Sequence, residues 1–189
     1  MNLKQSLLNF EGIDMIENQD KQVMLRYLDV FDDLYDRSNE LAHLTSSAWI
    51  LNQTMDKVLM IYHNIYDSWG WVGGHADGEH DLAFVALKEA KEETGLLSLK
   101  QIGDSFIAVD ILPVWRHMKH AHAISSHQHM NVTYLFIADE EQAIRIKPDE
   151  NSGVKWIDVS LIDEIVSEKD MLPIYHKLMN KAYKLGENL

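Results

Sequence analysis

Three glutamates crowd the stretch "LAFVALKEAKEETGL": Glu89, Glu92 and Glu93. In a helix the positions i, i+3 and i+4 fall within one narrow arc, so these carboxylates point the same way. They repel one another there, and near a helix C-terminus they also oppose the helix dipole. A hard divalent cation reverses the sign of that interaction, because carboxylate oxygens are natural ligands of Mg²⁺ and Mn²⁺. A solvated acidic turn with Lys88 and Lys91 as surface partners would leave the same pattern, so the neighbouring residues decide. Gly73, Gly74 and Gly78 precede the helix. Such a loop lets backbone approach a ligand with no Cβ in the way, and a helix N-terminus favours phosphate. Carboxylates behind a glycine loop are suited to metal-assisted phosphate chemistry.

The segment "WRHMKHAHAISSHQHMNVTY" is also unusual, with His117, His120, His122, His127 and His129. Histidines two apart share a face in extended chain. Three readings compete: a separate transition-metal site, although no zinc-motif spacing is present; a set that binds substrate phosphate or a base; and strand residues without a role. His127 and His129 are the candidates for substrate contact, with Arg116 and Lys119 adding positive charge nearby. Trp69 and Trp71 precede the glycine loop and either stack on a base or anchor a sheet.

Elements able to position these residues are legible in the periodicity. Apolar residues Met24, Tyr27, Leu28, Phe31, Leu34 and Tyr35 recur at helical spacing, predicting an N-terminal amphipathic helix from Gln19 to about Arg37. The pattern then changes to β-rich runs, "TSSAWILN", "KVLMIYH", "SFIAVDILPV", "NVTYLFIAD" and "GVKWIDV". A helix is expected over Asp81 to Thr94, closed by Gly95, and two more near Ser160 to Ser167 and Pro173 to Lys184. This order favours an α+β layered domain with a mixed sheet over alternating βαβ units. The expected organisation is an N-terminal helical extension over 1–40 and one domain over 41–189.

The segment Gly74 to Leu96 resembles the Nudix box, G-x5-E-x7-R-E-U-x-E-E-x-G-U, with U a bulky aliphatic residue. Gly74 stands at the first glycine, Glu89 after the arginine position, Glu92 and Glu93 at the paired glutamates, and Gly95 and Leu96 at the end. His80 replaces the first glutamate, one residue from Glu79, and Lys88 replaces the arginine. Lysine carries the charge but not the rigid two-pronged fork of arginine. The resemblance implies a Nudix-type α/β/α sandwich that uses Mg²⁺ or Mn²⁺ to hydrolyse a diphosphate linkage in a nucleoside diphosphate derivative of nucleotide, ADP-ribose or nucleotide-sugar type. It implies Glu89, Glu92 and Glu93 as catalytic metal ligands, with the Gly74 carbonyl completing the shell. Family members often draw a further carboxylate from another loop, and in "KPDENSGVKW" Glu150 is the expected catalytic one, with Asp149 second and a plain polar turn as the other reading; Lys88, Arg116, His127 and His129 are the expected substrate contacts. Nudix proteins often pair, so a homodimer is expected. A nucleotide sensor that no longer cleaves is the alternative, on the strength of His80 and Lys88. Isopentenyl diphosphate isomerases share the fold but usually employ a cysteine, which this chain lacks.

Composition narrows the classes further. Seventeen basic and thirty acidic side chains give a formal net charge of -13, which repels a nucleic-acid backbone. Without cysteine, any metal must be held by oxygen or imidazole. No apolar run is long enough to span a bilayer, and the N-terminus has no signal-like core, so a cytoplasmic location is expected.

Overall fold

The computed structural model describes residues 2–119 and 122–187; His120 and the Lys119 side chain lie outside what it describes. Two helices, α1 (Leu3–Asn9) and α2 (Met15–Val30), precede the strands β1 (Ala42–Leu51), β2 (Lys57–His63), β3 (Ser68–Gly70) and β4 (Val72–His75). Helix α3 (Leu82–Thr94) follows, then β5 (Lys100–Ile102), β6 (Ala108–Val114), β7 (His117–Lys119), β8 (His122–Ile124), β9 (His127–Ile137) and β10 (Asn151–Asp158). The chain ends with the short α4 (Ile162–Ile165) and α5 (Leu172–Gly186).

The main sheet runs β10-β2-β1-β9-β5, with β3 paired to β2, β4 to β1 and β6 to β9. Its spine is the parallel pair β1 and β9, in register from Ala42 opposite Gln128 to Leu51 opposite Ile137; the remaining pairs are antiparallel. The sheet is therefore mixed, and both of its faces are covered. Leu44, Ala48, Ile50 and Val132 pack with Leu82, Val85 and Ala86 of α3 and with Met24 of α2. Trp49, Leu51 and Leu135 pack with Tyr175, Leu178 and Ala182 of α5. Alternate residues of one strand thus serve opposite helical layers, as the pleat requires.

The N-terminal helix differs from its expected bounds. It starts at Met15 because the Asp14 carboxylate caps it, accepting from Glu17 N at 2.8 Å, while the Glu17 carboxylate reaches back to Ile13 N at 2.7 Å. It stops at Val30 because the acids beyond form turns: Ser38 N donates to Asp36, and Asn39 Nδ2 donates to Asp33. Leu34 is then fixed in the core, its carbonyl accepting from Leu44 N at 2.7 Å. Of the two C-terminal helices, the first shrinks to a 3-10 turn plus α4, and the second matches α5. Among the described residues no helix is long and apolar enough to cross a membrane.

Helix α2 covers the free edge of β6. Val109 N donates to Glu17 Oε1 at 3.2 Å and Ile111 N to Asp20 Oδ2 at 3.0 Å, while Pro113, next on that edge, has no N–H to satisfy. Glu17 is fully buried and meets Lys177 at 3.3 Å and Lys181 at 2.6 Å, both on α5. Lys177 keeps Asp110 as a partner, but removing the Glu17 carboxylate leaves the largely buried Lys181 ammonium without its countercharge, and breaking a buried pair in this way typically costs about 3–5 kcal/mol. Glu17→Ala should therefore lower unfolding free energy by that order in urea titration, whereas Glu11→Ala, on the exposed surface, should leave it within about 0.5 kcal/mol of wild type.

Candidate metal and phosphate site

Helix α3 is set by its ends. Asp81 caps it, accepting from Phe84 N at 3.0 Å, and Gly95 closes it with φ 76°. A side chain at Gly95 would also strike Arg145. Its first turn is tied to the sheet by Ser46 Oγ, which donates to the Leu82 carbonyl at 2.6 Å.

The glutamates of α3 do not share one fate. Glu93 is only 4% exposed and accepts from Gly73 N at 3.3 Å. The Glu89 side chain is 12% exposed and lies against Gly74, where a Cβ would come within 2.6 Å of the Glu89 carboxyl carbon. Glu92 stands at the rim, 43% exposed, 3.3 Å from Lys147 Nζ and 3.9 Å from Lys88 Nζ. A third converging carboxylate comes from Glu150, at the entrance to β10. Oxygens of Glu89, Glu93 and Glu150 all lie within 4.8 Å of one another.

Burial of like charges shows in the proton affinities. Burial, reinforced by a hydrogen bond to Glu150 and by the nearby Glu89 charge, pushes the Glu93 carboxyl up to about 9. Glu89 is also raised, chiefly by burial. Lys147 is the countercharge: its ammonium lies 3.1 Å from Glu150 as well as bridging to Glu92, and these bonds raise its affinity for the proton despite partial desolvation. Two largely buried carboxylates, Glu89 and Glu93, and the partly exposed Glu150, with Lys147 beside them, form an oxygen-rich donor set that fits a hard divalent cation.

The other expected site residues are placed as follows. The Lys88 ammonium sits 3.6 Å from Glu89, turned to the acids. Arg116 is exposed in the turn before β7, its backbone N–H donating to Ser126 Oγ. His127 and His129 are partly buried, with their Nε2 atoms 3.2 Å apart. Glu79 caps Asp81 N and His80 lies on the Tyr35 ring, so neither joins the carboxylate cluster. Trp69 meets Tyr62 and Trp71 meets Tyr175, each by its edge, which makes both tryptophans sheet anchors. Sequence reasoning missed Lys147 and Asn151. Asn151 is fully buried, and its Nδ2 donates to the Glu93 carbonyl at 3.0 Å. Both lie in or beside the loop that supplies Glu150, where turn-forming composition hid them.

This layered fold, with a glycine loop feeding a carboxylate-bearing helix, is the arrangement that the Nudix-box resemblance implies. Residues 41–179 match the NUDIX domain family. The chain belongs to that family. No curated relative matches the sequence. Similar solved structures include the C. elegans Ap4A hydrolase in a binary complex, 16% identical with a TM-score of 0.55 over 76% of this chain and 98% of that one. The E. coli dihydroneopterin triphosphate pyrophosphohydrolase is 17% identical with a TM-score of 0.55, over 72% and 94%. The NUDIX domain of Shewanella oneidensis NrtR, complexed with ADP ribose, is 19% identical with a TM-score of 0.54, over 83% and 97%.

Two outcomes follow from the crowded carboxylates. With Glu93 raised from 4.5 to about 9, the metal-free folded chain holds a proton that the unfolded chain has lost across that window, so this group's contribution to stability falls as pH rises through it. Glu93→Gln should flatten that part of the pH dependence of the melting temperature relative to wild type. Gly74→Ala pushes the Glu89 carboxylate aside and should weaken Mn²⁺ binding by about 10–100-fold in calorimetric titration, with the far-ultraviolet circular dichroism unchanged.

Proposed function

We propose that this chain is a divalent-cation-dependent hydrolase of a small nucleoside diphosphate derivative. The observation that carries this reading is the convergence of Glu89, Glu93 and Glu150 beside a glycine strand that a Cβ would obstruct. These three carboxylates would hold Mg²⁺ or Mn²⁺, with the Gly74 carbonyl as a further candidate ligand. Such a cation, when bound, neutralises diphosphate charge and makes water a better nucleophile.

The chain's own groups have separable tasks. Glu93, the most buried, would hold the cation and is itself held by the Gly73 N–H. Glu89 is largely buried, and burial raises its carboxyl above the ordinary range, so its carboxylate is a stronger base than a solvated one. It is the proposed general base. Lys147 and Lys88 stand at the rim, where their ammonium groups can meet the outer phosphate oxygens. Glu92, tied to both lysines, sets their position and would be a further cation ligand from outside the converging three. The net charge of -13 works against a nucleic-acid backbone and in favour of a small substrate whose anionic part is screened by the cation. The similar folds name the class to try: a dinucleoside polyphosphate, a pterin triphosphate and ADP-ribose.

Product release from a panel of these compounds and of nucleotide-sugars, measured with Mg²⁺ or Mn²⁺, should identify one good substrate. Glu89→Gln should lower kcat by about 10²–10⁴-fold with KM little changed, as expected for a lost general base. Glu93→Gln should abolish metal-dependent turnover. Tight binding across the panel without cleavage would instead make the chain a nucleotide sensor, and full activity in Glu93→Gln would refute the site assignment.

A further inference from the structure

On the sheet face opposite α3, four imidazoles converge. His43 lies on β1, directly opposite His129 on β9, and His75 on β4 lies opposite Thr45, two residues along β1 from His43. Partners across a ladder share a face, and so do residues two apart on a strand. His43, His75, His127 and His129 therefore stand together, although they come from three strands. Ser46 and Gly74, one residue away, face α3 instead, the first bonding Leu82 and the second lying against Glu89. The imidazole cluster is thus distinct from the carboxylate cluster, and nothing in the proposed hydrolysis uses it.

The proton count in this cluster does not close on its own. The His43 Nδ1–H donates to the Asn39 carbonyl at 3.1 Å, and the His127 Nδ1–H to the Ser125 carbonyl at 2.8 Å, since a carbonyl can only accept. In neutral rings that leaves a lone pair on Nε2 of each. His129 Nε2 lies 3.2 Å from the Nε2 of both His75 and His127. One nitrogen carries a single proton or a single lone pair in the ring plane, so at most one of these contacts is an ordinary hydrogen bond. His43 is 5% exposed, and its Nε2 is buried with no hydrogen-bond partner.

A tetrahedral ion with metal–nitrogen bonds of about 2.0–2.1 Å places neighbouring ligand nitrogens about 3.3 Å apart. The two Nε2 separations of 3.2 Å match that edge. The candidate ligand nitrogens of His43, His75 and His129 all lie within 4.8 Å of one another. The backbone carbonyls that orient His43 and His127 are the outer partners that metal-binding imidazoles ordinarily have.

We propose that His43, His75 and His129, with His127 closing the fourth position, form a second metal site for an imidazole-preferring transition ion of the Zn²⁺ class. It joins β1, β4 and β9 at one end of the sheet spine. An all-nitrogen set suits Zn²⁺, Co²⁺ or Ni²⁺ and is poorly matched to Mg²⁺, so the two clusters select different ions. Under this assignment His127 and His129 are metal ligands and not contacts to substrate phosphate.

Co²⁺ is the probe, because tetrahedral Co²⁺ absorbs strongly in the visible and octahedral Co²⁺ does not. The full chain, stripped of metal by a chelator, is titrated with CoCl₂ and separately with ZnCl₂, with elemental analysis after desalting. The Glu89→Gln/Glu93→Gln/Glu150→Gln variant is run in parallel to silence the carboxylate cluster. One equivalent of retained Zn²⁺ and an intense visible Co²⁺ spectrum in both proteins is the expected result. In His75→Ala and in His127→Gln, a partly buried position less prone to misfolding, the spectrum should vanish or change its coordination signature. Zn²⁺ affinity should fall by more than about 100-fold in His75→Ala, since even outer-shell changes lose 10–100-fold. Weak, octahedral-type Co²⁺ absorption in the wild-type chain, or Zn²⁺ retention that the triple glutamine variant abolishes, would overturn the assignment.

Discussion

The burial of the Glu93 carboxyl organises the active end of this molecule. A carboxylate with 4% of its surface exposed, next to Glu89 and Glu150, is unfavourable in a low-dielectric setting unless protonated or matched by positive charge. Several local features make sense only as accommodations of it. Gly73 offers a backbone N–H, Gly74 leaves space for Glu89, and Asn151 holds the Glu93 carbonyl so that the last turn of α3 cannot rotate away. Lys147 and Lys88 supply two positive charges at the rim, fewer than the four acids around them. A divalent cation would balance the set, and the charge deficit is itself the binding energy for such an ion.

Strand β1 distributes the chemistry between two layers. Its alternating side chains face either α3 or the opposite side of the sheet, so Ser46 anchors the carboxylate helix while His43 joins the imidazole group. Thr45 and Ser47, between them, both donate to Asn131 Oδ1 on β9, locking the parallel register that sets His43 across from His129. A one-residue slip in that ladder would move every one of these groups to the other face. Specific side-chain bonds across the spine therefore protect both clusters at once.

The N-terminal helices belong to the same cooperative structure. Glu17 and Asp20 of α2 take the place of a further strand beside β6, and Glu17 in turn neutralises Lys177 and Lys181 of α5. Leu3, Leu7 and Met24 add to the core on the α3 side. Family similarity begins at residue 41, yet the edge of the sheet is finished by residues before it.

Much of the fold was legible because it rests on local rules. Periodicity and capping residues marked α3 to within one residue, and the β-rich runs marked the five long strands of the sheet. Spacing alone also singled out Glu89, Glu92 and Glu93, together with the glycines before them. What spacing could not decide was which carboxylates would converge. Helical arc places Glu92 with its neighbours, but Lys147 and Lys88 draw it to the rim, while Glu150 arrives from a loop more than fifty residues away. The limits of α2 also escaped periodicity, since its start depends on a capping box and its end on Asx turns among acids that read as helical surface. His43 and His75 drew no notice at all, being single histidines in separate strands. The sequence by itself determined the element types, the acidic box and the family, since these follow from residue type and short-range spacing. Only the tertiary structure decided which side chains meet, because strand register and long-range pairing, not proximity in the chain, bring His43 to His129 and Glu150 to Glu93.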